Sequence, residues 1–255
     1  MRRLLLVLAL CSSLVGVGVA NAKSTPPPQP TLLVLGDSLT WGTNYRGFGN
    51  VTPKLKALGY FNTLVVDGVF ARNISGPAGT ARNGVKTMKK LTTSGLAPSA
   101  AIVALGSNDL QHSGDPAFYA GRIRELLALL GDIPVVWFNV WRTDSAYYPK
   151  RSATFNATLA EVATEYPNVT VADWASIVVA NPKLMAFDGL HLQPVGYRLR
   201  AQMYVEAAQM LIGTLTPPPT TTTTSTTTIP ATTTTSTTTP STTTTVAPTT
   251  TVAQG

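Results

Sequence analysis

Cysteine and histidine are scarce in this chain of 255 residues, and each shortage excludes a class of chemistry. Cys11 is the single cysteine, so the chain can form no internal disulfide and no cysteine-ligated metal site. His112 and His191 are the only histidines, and the sequence contains no His-Glu-x-x-His motif and no glycine-rich phosphate loop. We therefore expect neither a metal nor a cofactor, and an imidazole base must be one of these two side chains.

Charged residues are also few, at 12% of the chain, and the formal net charge is +7. The lysines and arginines are scattered and form no basic run, which argues against a nucleic-acid partner. A mild positive balance suits contact with an anionic polymer such as a cell wall. The alternative is that the excess is ordinary solvated surface charge.

The two ends of the chain differ in composition from the middle. A basic start, an apolar run broken by Ser and Gly, and Ala20-Asn21-Ala22 predict a signal peptide over residues 1–22, hence a secreted or extracytoplasmic protein, associated with the cell envelope or free. The alternative, a membrane anchor, is disfavoured by the short apolar core, so we expect no stable membrane insertion. Residues 23–30 form a Pro-rich linker, and residues 216–255, which are almost entirely Thr, Pro, Ser, Ala and Val, predict a disordered tail, either a glycosylated stalk or a plain spacer.

The remaining domain, residues 31–215, alternates apolar strands with helical segments. Strands are predicted at 31–35, 63–66, 100–105, 134–139 and 169–172, and helices at 51–58, 83–91, 116–130, 151–166 and 195–211. This alternation predicts an α/β fold with a parallel sheet covered on both faces. Ligands bind such sheets beyond the carboxyl ends of the strands, so functional residues should follow the strands directly.

Three short polar motifs meet this expectation. Gly36–Leu39 (GDSL) follows the first strand, Gly106–Asp109 (GSND) follows the third, and Asp188–His191 (DGLH) lies near the end of the domain. Each motif alone could be an ordinary turn. Their joint occurrence at predicted sheet edges favours a common active site.

The residue types in these motifs are those that acyl transfer requires. The Ser38 hydroxyl needs a base, His191 can supply it, and Asp188 can fix the imidazole tautomer. The backbone N–H of Ser38 and the side-chain amide of Asn108 could stabilise a developing oxyanion. His112 is the alternative base, but no carboxylate stands at an obviously orienting position beside it.

Together, the three motifs resemble blocks one, three and five of the SGNH/GDSL hydrolases. The resemblance implies a three-layer α/β/α sandwich with a five-stranded parallel, flavodoxin-like sheet. It also implies a third oxyanion donor, the backbone N–H of a glycine after the second strand. By spacing Ala71 stands at that position, and Gly68 is the second candidate.

The C-terminal half is similar to the extracytoplasmic SGNH domains that accompany bacterial cell-wall O-acetyltransferases, in stretches such as 138–140, 171–174 and 188–192. The resemblance implies a serine esterase acting on a small ester or an acylated glycan. Trp41, Trp141 and Arg142 lie on loops that flank the predicted site and are candidate substrate contacts, because aromatic faces can stack on sugar rings and an arginine can meet a carboxylate. The alternatives are an O-acyltransferase to wall sugars, a lipase or thioesterase, and a catalytically silent wall-binding module. The sequence leaves the natural acyl group, the acceptor and the oligomeric state open.

Overall fold

A five-stranded parallel sheet forms the centre of the domain, in the computed structural model, which describes residues 30–216. The strands are β1 (Thr31–Gly36), β2 (Thr63–Gly68), β3 (Ala100–Ala104), β4 (Val135–Phe138) and β5 (Val169–Ala172). Their order in the sheet is β2-β1-β3-β4-β5, and every pairing is parallel. The strand order therefore reverses between β1 and β3, and this is the point at which such sheets open a ligand crevice.

Seven α-helices accompany the sheet within the described residues. They are α1 (Ser38–Asn44), α2 (Val51–Lys56), α3 (Gly84–Thr93), α4 (Pro116–Leu130), α5 (Tyr148–Ala163), α6 (Trp174–Ala180) and α7 (Pro194–Leu215). Within residues 30–216 none of the helices is long and apolar enough to cross a membrane.

Alternate residues of the strands face two separate apolar layers. In β1, Leu33 and Leu35 pack with buried residues of α3, α4 and α5, whereas Leu32 and Val34 pack with those of α2, α6 and α7. All four leucine and valine side chains are fully buried. The expected three-layer α/β/α sandwich with five parallel strands is confirmed.

The sequence patterns missed two helices and misplaced the start of a third. Neither α1 nor α6 was expected, because each has only seven residues and too few for a periodic apolar pattern. The fifth helix begins at Tyr148 and not at Arg151, since Pro149 is accommodated in its first turn. The predicted signal peptide, most of the linker and the tail from residue 217 onward lie outside the described residues.

Candidate active site

Ser38 is held at the sheet edge by the turn from β1 into α1. Asp37 caps α1, its carboxylate accepting a hydrogen bond of 2.9 Å from the Leu39 N–H. A Cβ atom at Gly36 would lie 1.8 Å from Oγ1 of Thr40, so only glycine lets the helix start directly after the strand. Ser38 thus lies at the positive end of a helix, beyond the carboxyl end of β1.

The structure brings Ser38, His191 and Asp188 together in a chain of hydrogen bonds. Nε2 of His191 is 3.0 Å from Oγ of Ser38, and Nδ1 of His191 is 2.6 Å from Oδ2 of Asp188. The other carboxylate oxygen of Asp188 accepts hydrogen bonds from the backbone N–H groups of Leu190 and His191. Partial burial acts to raise the pKa of Asp188, but these hydrogen bonds outweigh it, so the pKa lies below its usual value. The ionised carboxylate can therefore orient the imidazole.

The second histidine is placed differently. His112 follows the short 3-10 turn Asp109–Gln111 and is largely exposed, and the limited burial of its ring together with the charge of Arg122 lowers its pKa. Among the described residues, His191 is the histidine within hydrogen-bond distance of Ser38.

The loop that carries Asp188 and His191 is clamped by the segment after β4. Gly189 has a left-handed φ of +68°, and its carbonyl oxygen accepts a hydrogen bond of 2.8 Å from the Thr143 N–H. A Cβ atom at Gly189 would lie 2.7 Å from the backbone nitrogen of Asp144. The loop therefore depends on close approach to residues 143 and 144.

Arg142, one of the expected substrate contacts, supports this clamp. Its Nε and Nη2 atoms donate to the two carboxylate oxygens of Asp144 at 2.5 and 2.7 Å, and its Nη1 donates to the Ser107 carbonyl at 3.0 Å. The guanidinium is nearly buried and also lies 4.0 Å from the ring centre of Tyr148. These acceptors make Arg142 a residue that positions the loop, and its contact with substrate stays a prediction.

The two aromatic candidates occupy different surroundings. Trp41 is 42% exposed on α1, one helical turn after Ser38. Trp141 is partly buried and lines a cavity of about 350 Å³ with Met185 and Phe187, among whose lining residues neither Ser38 nor His191 is found. Contact of either tryptophan with substrate stays a prediction.

Ala71 adopts an unusual backbone conformation for alanine. Its φ of +53° lies in the left-handed region, which costs an alanine about 1–2 kcal/mol relative to the right-handed one. Glycine at the matching position of the family avoids that cost. The N–H groups of Ala71 and Ser38 have no hydrogen-bond acceptor among residues 30–216, so both are available to a ligand.

Gly68, the second candidate for this donor, has another role. It pairs with Gly36 across β1 and β2, and a Cβ atom on it would lie 2.4 Å from the backbone nitrogen of Trp41. Its lack of a side chain lets α1 pack against the end of β2.

The side-chain amide of Asn108 joins this region to the nucleophile turn. Its Nδ2 lies 3.1 Å from the carbonyl oxygen of Arg72 and 3.3 Å from Oδ2 of Asp37. Burial raises the pKa of Asp37, and the positive charge of Arg200 opposes that effect. Asn108 is buried, and its amide is held between Asp37, which precedes Ser38, and Arg72, which follows Ala71.

Two ion pairs that the sequence did not reveal, each with one fully buried partner, hold the segment around Ala71. Arg72 donates to the carbonyl oxygens of Gly36 and Asp67 at 3.0 and 2.8 Å and forms an ion pair with the Asp67 carboxylate. Asp109 accepts hydrogen bonds from the Ile74 N–H and pairs with Arg122 at 2.6 Å. No local pattern marks these partners, which lie on separate elements and meet only in the fold.

Among the described residues, no group of three or more His, Cys, Asp or Glu side chains is arranged to hold a metal ion. The chemistry of the site then rests on the serine hydroxyl, the imidazole, the carboxylate and the nearby N–H donors. This set can carry out nucleophilic attack on an acyl carbon with general base assistance.

Comparison with known proteins places this site in a family. The sequence model of the GDSL-like Lipase/Acylhydrolase family matches residues 34–199. A search of curated proteins found no match.

Solved structures also resemble the chain. A carbohydrate acetylesterase family member from Sinorhizobium meliloti is 19% identical with a TM-score of 0.57, covering 72% of this chain and 99% of its own. A lipase/acylhydrolase from Enterococcus faecalis is also 19% identical, with a TM-score of 0.57 and coverages of 69% and 94%. A psychrotrophic esterase from Pseudoalteromonas sp., inhibited by monoethylphosphonate, is 14% identical, with a TM-score of 0.55 and coverages of 72% and 98%.

These structural likenesses establish the shared fold, and the family match extends over more than half of the chain, including Ser38, Asn108 and His191. The chain therefore belongs to the GDSL-like lipase/acylhydrolase family and is a serine hydrolase that acts on ester bonds.

Proposed function

We propose that this enzyme hydrolyses small acyl esters, in particular O-acetyl esters on envelope glycans, through a Ser38–His191–Asp188 triad. The observation that carries the proposal is the 3.0 Å separation of Nε2 of His191 from Oγ of Ser38, with Asp188 2.6 Å from the other ring nitrogen. This is the range in which a proton passes between a nucleophile and its base.

In the first half of the reaction, Ser38 becomes acylated. Nε2 of His191 takes the hydroxyl proton as Oγ attacks the acyl carbon, and a tetrahedral oxyanion forms. The N–H groups of Ser38 and Ala71 can donate to it, and Asn108 can join them by exchanging its 3.3 Å contact with Asp37. When the C–O bond to the alcohol breaks, His191 returns the proton to the leaving oxygen.

In the second half, water releases the acyl group. His191 removes a proton from water, the resulting hydroxide attacks the acyl carbon, and the acid leaves as Ser38 regains its proton. The side chains of His191 and Asp188 are 38% and 39% exposed, so water has direct access to the acyl-enzyme. This access favours hydrolysis over transfer of the acyl group to a second sugar.

The choice of an acetyl ester on a glycan rests on three further points. The structurally similar proteins include carbohydrate acetylesterases from Sinorhizobium meliloti. In addition, the predicted signal peptide would place the enzyme outside the cytoplasm, where envelope glycans are found. The exposed triad suits an ester carried on a polymer that is too large to enter a closed pocket.

The experiment is to measure acetate release by the purified protein from p-nitrophenyl acetate and from O-acetylated xylo-oligosaccharides. Ser38→Ala should lower kcat on both by about 10⁴-fold or more, since the residues of a triad act as a unit. Ser94→Ala, at an exposed position at the end of α3, is the matched control and should retain full activity.

The same preparation separates the other functions. A fall in kcat/KM from acetate to octanoate esters supports small-ester specificity, and a rise would indicate a lipase. If wild type and Ser38→Ala release acetate at the same rate, the triad assignment is wrong.

A further inference from the structure

Three large aromatic side chains near Ser38 remain on the surface of the domain. Trp41, Tyr45 and Phe70 are 42%, 49% and 49% exposed. Large aromatic side chains gain most when they are buried, and contiguous exposed apolar surface commonly marks a binding site. We name these three residues the aromatic platform.

Trp41 contacts both of the other rings of the aromatic platform, and further aromatic rings support Tyr45. Trp41 and Tyr45 stack with centroids 5.5 Å apart and planes inclined by 15°, and the Phe70 ring lies 4.8 Å from that of Trp41. Tyr45 also contacts Phe48, which stacks at 5.0 Å on the buried ring of Tyr197. The platform is therefore a supported surface and not a set of independent side chains.

The position of the aromatic platform relative to Ser38 and the candidate oxyanion donor follows from the backbone. Trp41 comes three residues after Ser38 in α1, so the two side chains lie on neighbouring turns of one helix face. Phe70 directly precedes Ala71, whose N–H is the candidate oxyanion donor. The close approach of Gly68 to the backbone of Trp41 joins the two segments. A group attached to an ester bound at Ser38 would therefore extend over the aromatic platform.

The geometry favours a sugar ring over an acyl chain as the occupant. An alkyl chain gains most from removal of its whole surface from water, which requires an enclosed pocket. The platform instead offers half-exposed ring faces beside an open triad. A pyranose ring has an apolar C–H face that can lie on an aromatic ring, while its hydroxyl groups stay in water at its edge.

We infer that the aromatic platform is a subsite for the pyranose ring that carries the acetyl group, and that it selects glycan esters over simple alkyl esters. This inference rests on the proposed function, because it names the part of the substrate that lies beyond the ester bond. It adds Tyr45 and Phe70 to the residues that determine specificity.

The test compares two acetate esters that differ in the presence of a sugar ring. O-acetylated xylo-oligosaccharides carry one, ethyl acetate carries no ring, and acetate release reports hydrolysis of both. For Trp41→Ala and Phe70→Ala, the ratio of kcat/KM on the oligosaccharide to kcat/KM on ethyl acetate should fall roughly tenfold, mainly through KM on the oligosaccharide. Trp41→Phe, which keeps a ring, should restore most of the ratio.

Tyr147→Ala is the matched control, because Tyr147 is also 49% exposed and its ring contacts Tyr148 and Arg151, not the platform. This variant should keep the wild-type ratio. An unchanged ratio in Trp41→Ala and Phe70→Ala, or an equal fall in Tyr147→Ala, overturns the inference. A selective loss on ethyl hexanoate in the platform variants also overturns it, since the occupant would then be the acyl chain.

The result for the aromatic platform can be distinguished from the result for the proposed esterase function. Loss of all activity in Ser38→Ala supports the triad whatever the platform variants do. A wild-type ratio in those variants leaves the esterase assignment intact and removes only the sugar subsite.

Discussion

Replacement of Gly189 by alanine tests how strictly the loop bearing the triad base must be placed. Gly189 lies between Asp188 and His191, with a φ of +68°. An added Cβ atom would lie 2.7 Å from the backbone nitrogen of Asp144 and 2.8 Å from Oγ1 of Thr143. Ordinary contacts begin near 3.4 Å, so the loop or its neighbour must move by more than half an ångström.

Two costs follow from this geometry. The left-handed backbone costs alanine about 1–2 kcal/mol of stability, which corresponds to a fall in Tm of roughly 2–8 °C for a domain of this size. The displacement adds a catalytic cost, because a misplacement of about 1 Å in catalytic geometry can lower the rate about 100-fold. We expect Gly189→Ala to lower kcat/KM on p-nitrophenyl acetate by about that factor, mainly through kcat.

Gly59→Ala is the control that separates the two costs. Gly59 has a φ of +69°, and a Cβ atom there would meet no heavy atom within 4 Å. Both variants should lose stability in thermal unfolding, Gly189→Ala at least as much as Gly59→Ala, and Gly59→Ala should keep wild-type kcat/KM. If Gly189→Ala is as active as Gly59→Ala, the close contact with residues 143 and 144 does not set the position of His191.

Three further variants address single contacts. Asp188→Asn should lower kcat by about 10³- to 10⁴-fold in steady-state assays with little change in KM, because the imidazole loses its orienting carboxylate; near-normal kcat would argue against that role. Arg142→Lys removes the paired hydrogen bonds to Asp144 and should lower kcat roughly tenfold at unchanged KM, whereas a rise in KM alone would mean that Arg142 touches substrate after all. Burial raises the pKa of Asp109 from 3.8 to about 6, so its contribution to stability is complete below pH 4 and is lost as pH rises through 6. Urea unfolding between pH 4 and 7 should show this loss, at most roughly 3 kcal/mol, and Asp109→Asn should abolish it; an unchanged pH profile in the variant would contradict it.

The sequence predicted those parts of the fold that depend on local pattern. β5 was predicted with the observed bounds, and α4 was predicted from its Asp115 cap, Pro116 and the terminal Gly131, all of which the structure contains. In α1, by contrast, Gly42 and three Ser or Thr residues are poor helix formers. That helix forms because Asp37 caps it and because it packs against β2 and α7, which are distant in sequence.

The site shows the same division between local and distant information. Ser38 and Asn108 stand in short motifs directly after predicted strands, Asp188 and His191 stand in a third motif near the end of the domain, and the structure brings all four residues together. The residues that hold the site in place could not be predicted from such short motifs. Asp144 is only two residues from Arg142, but a loop arginine gives no sign of its acceptors in the sequence, and Ser107 becomes a partner only once β3 and β4 lie side by side.

The central claim is that His191 activates the hydroxyl of Ser38, and covalent labelling tests it most directly. Incubation with diethyl p-nitrophenyl phosphate, followed by proteolysis and mass spectrometry, should find one diethylphosphoryl group on Ser38. Labelling should be at least 100-fold slower in His191→Ala and unchanged in His112→Ala, because only His191 lies 3.0 Å from the Ser38 hydroxyl among the described residues. A label on another residue, or equal labelling rates in wild type and His191→Ala, would contradict the account.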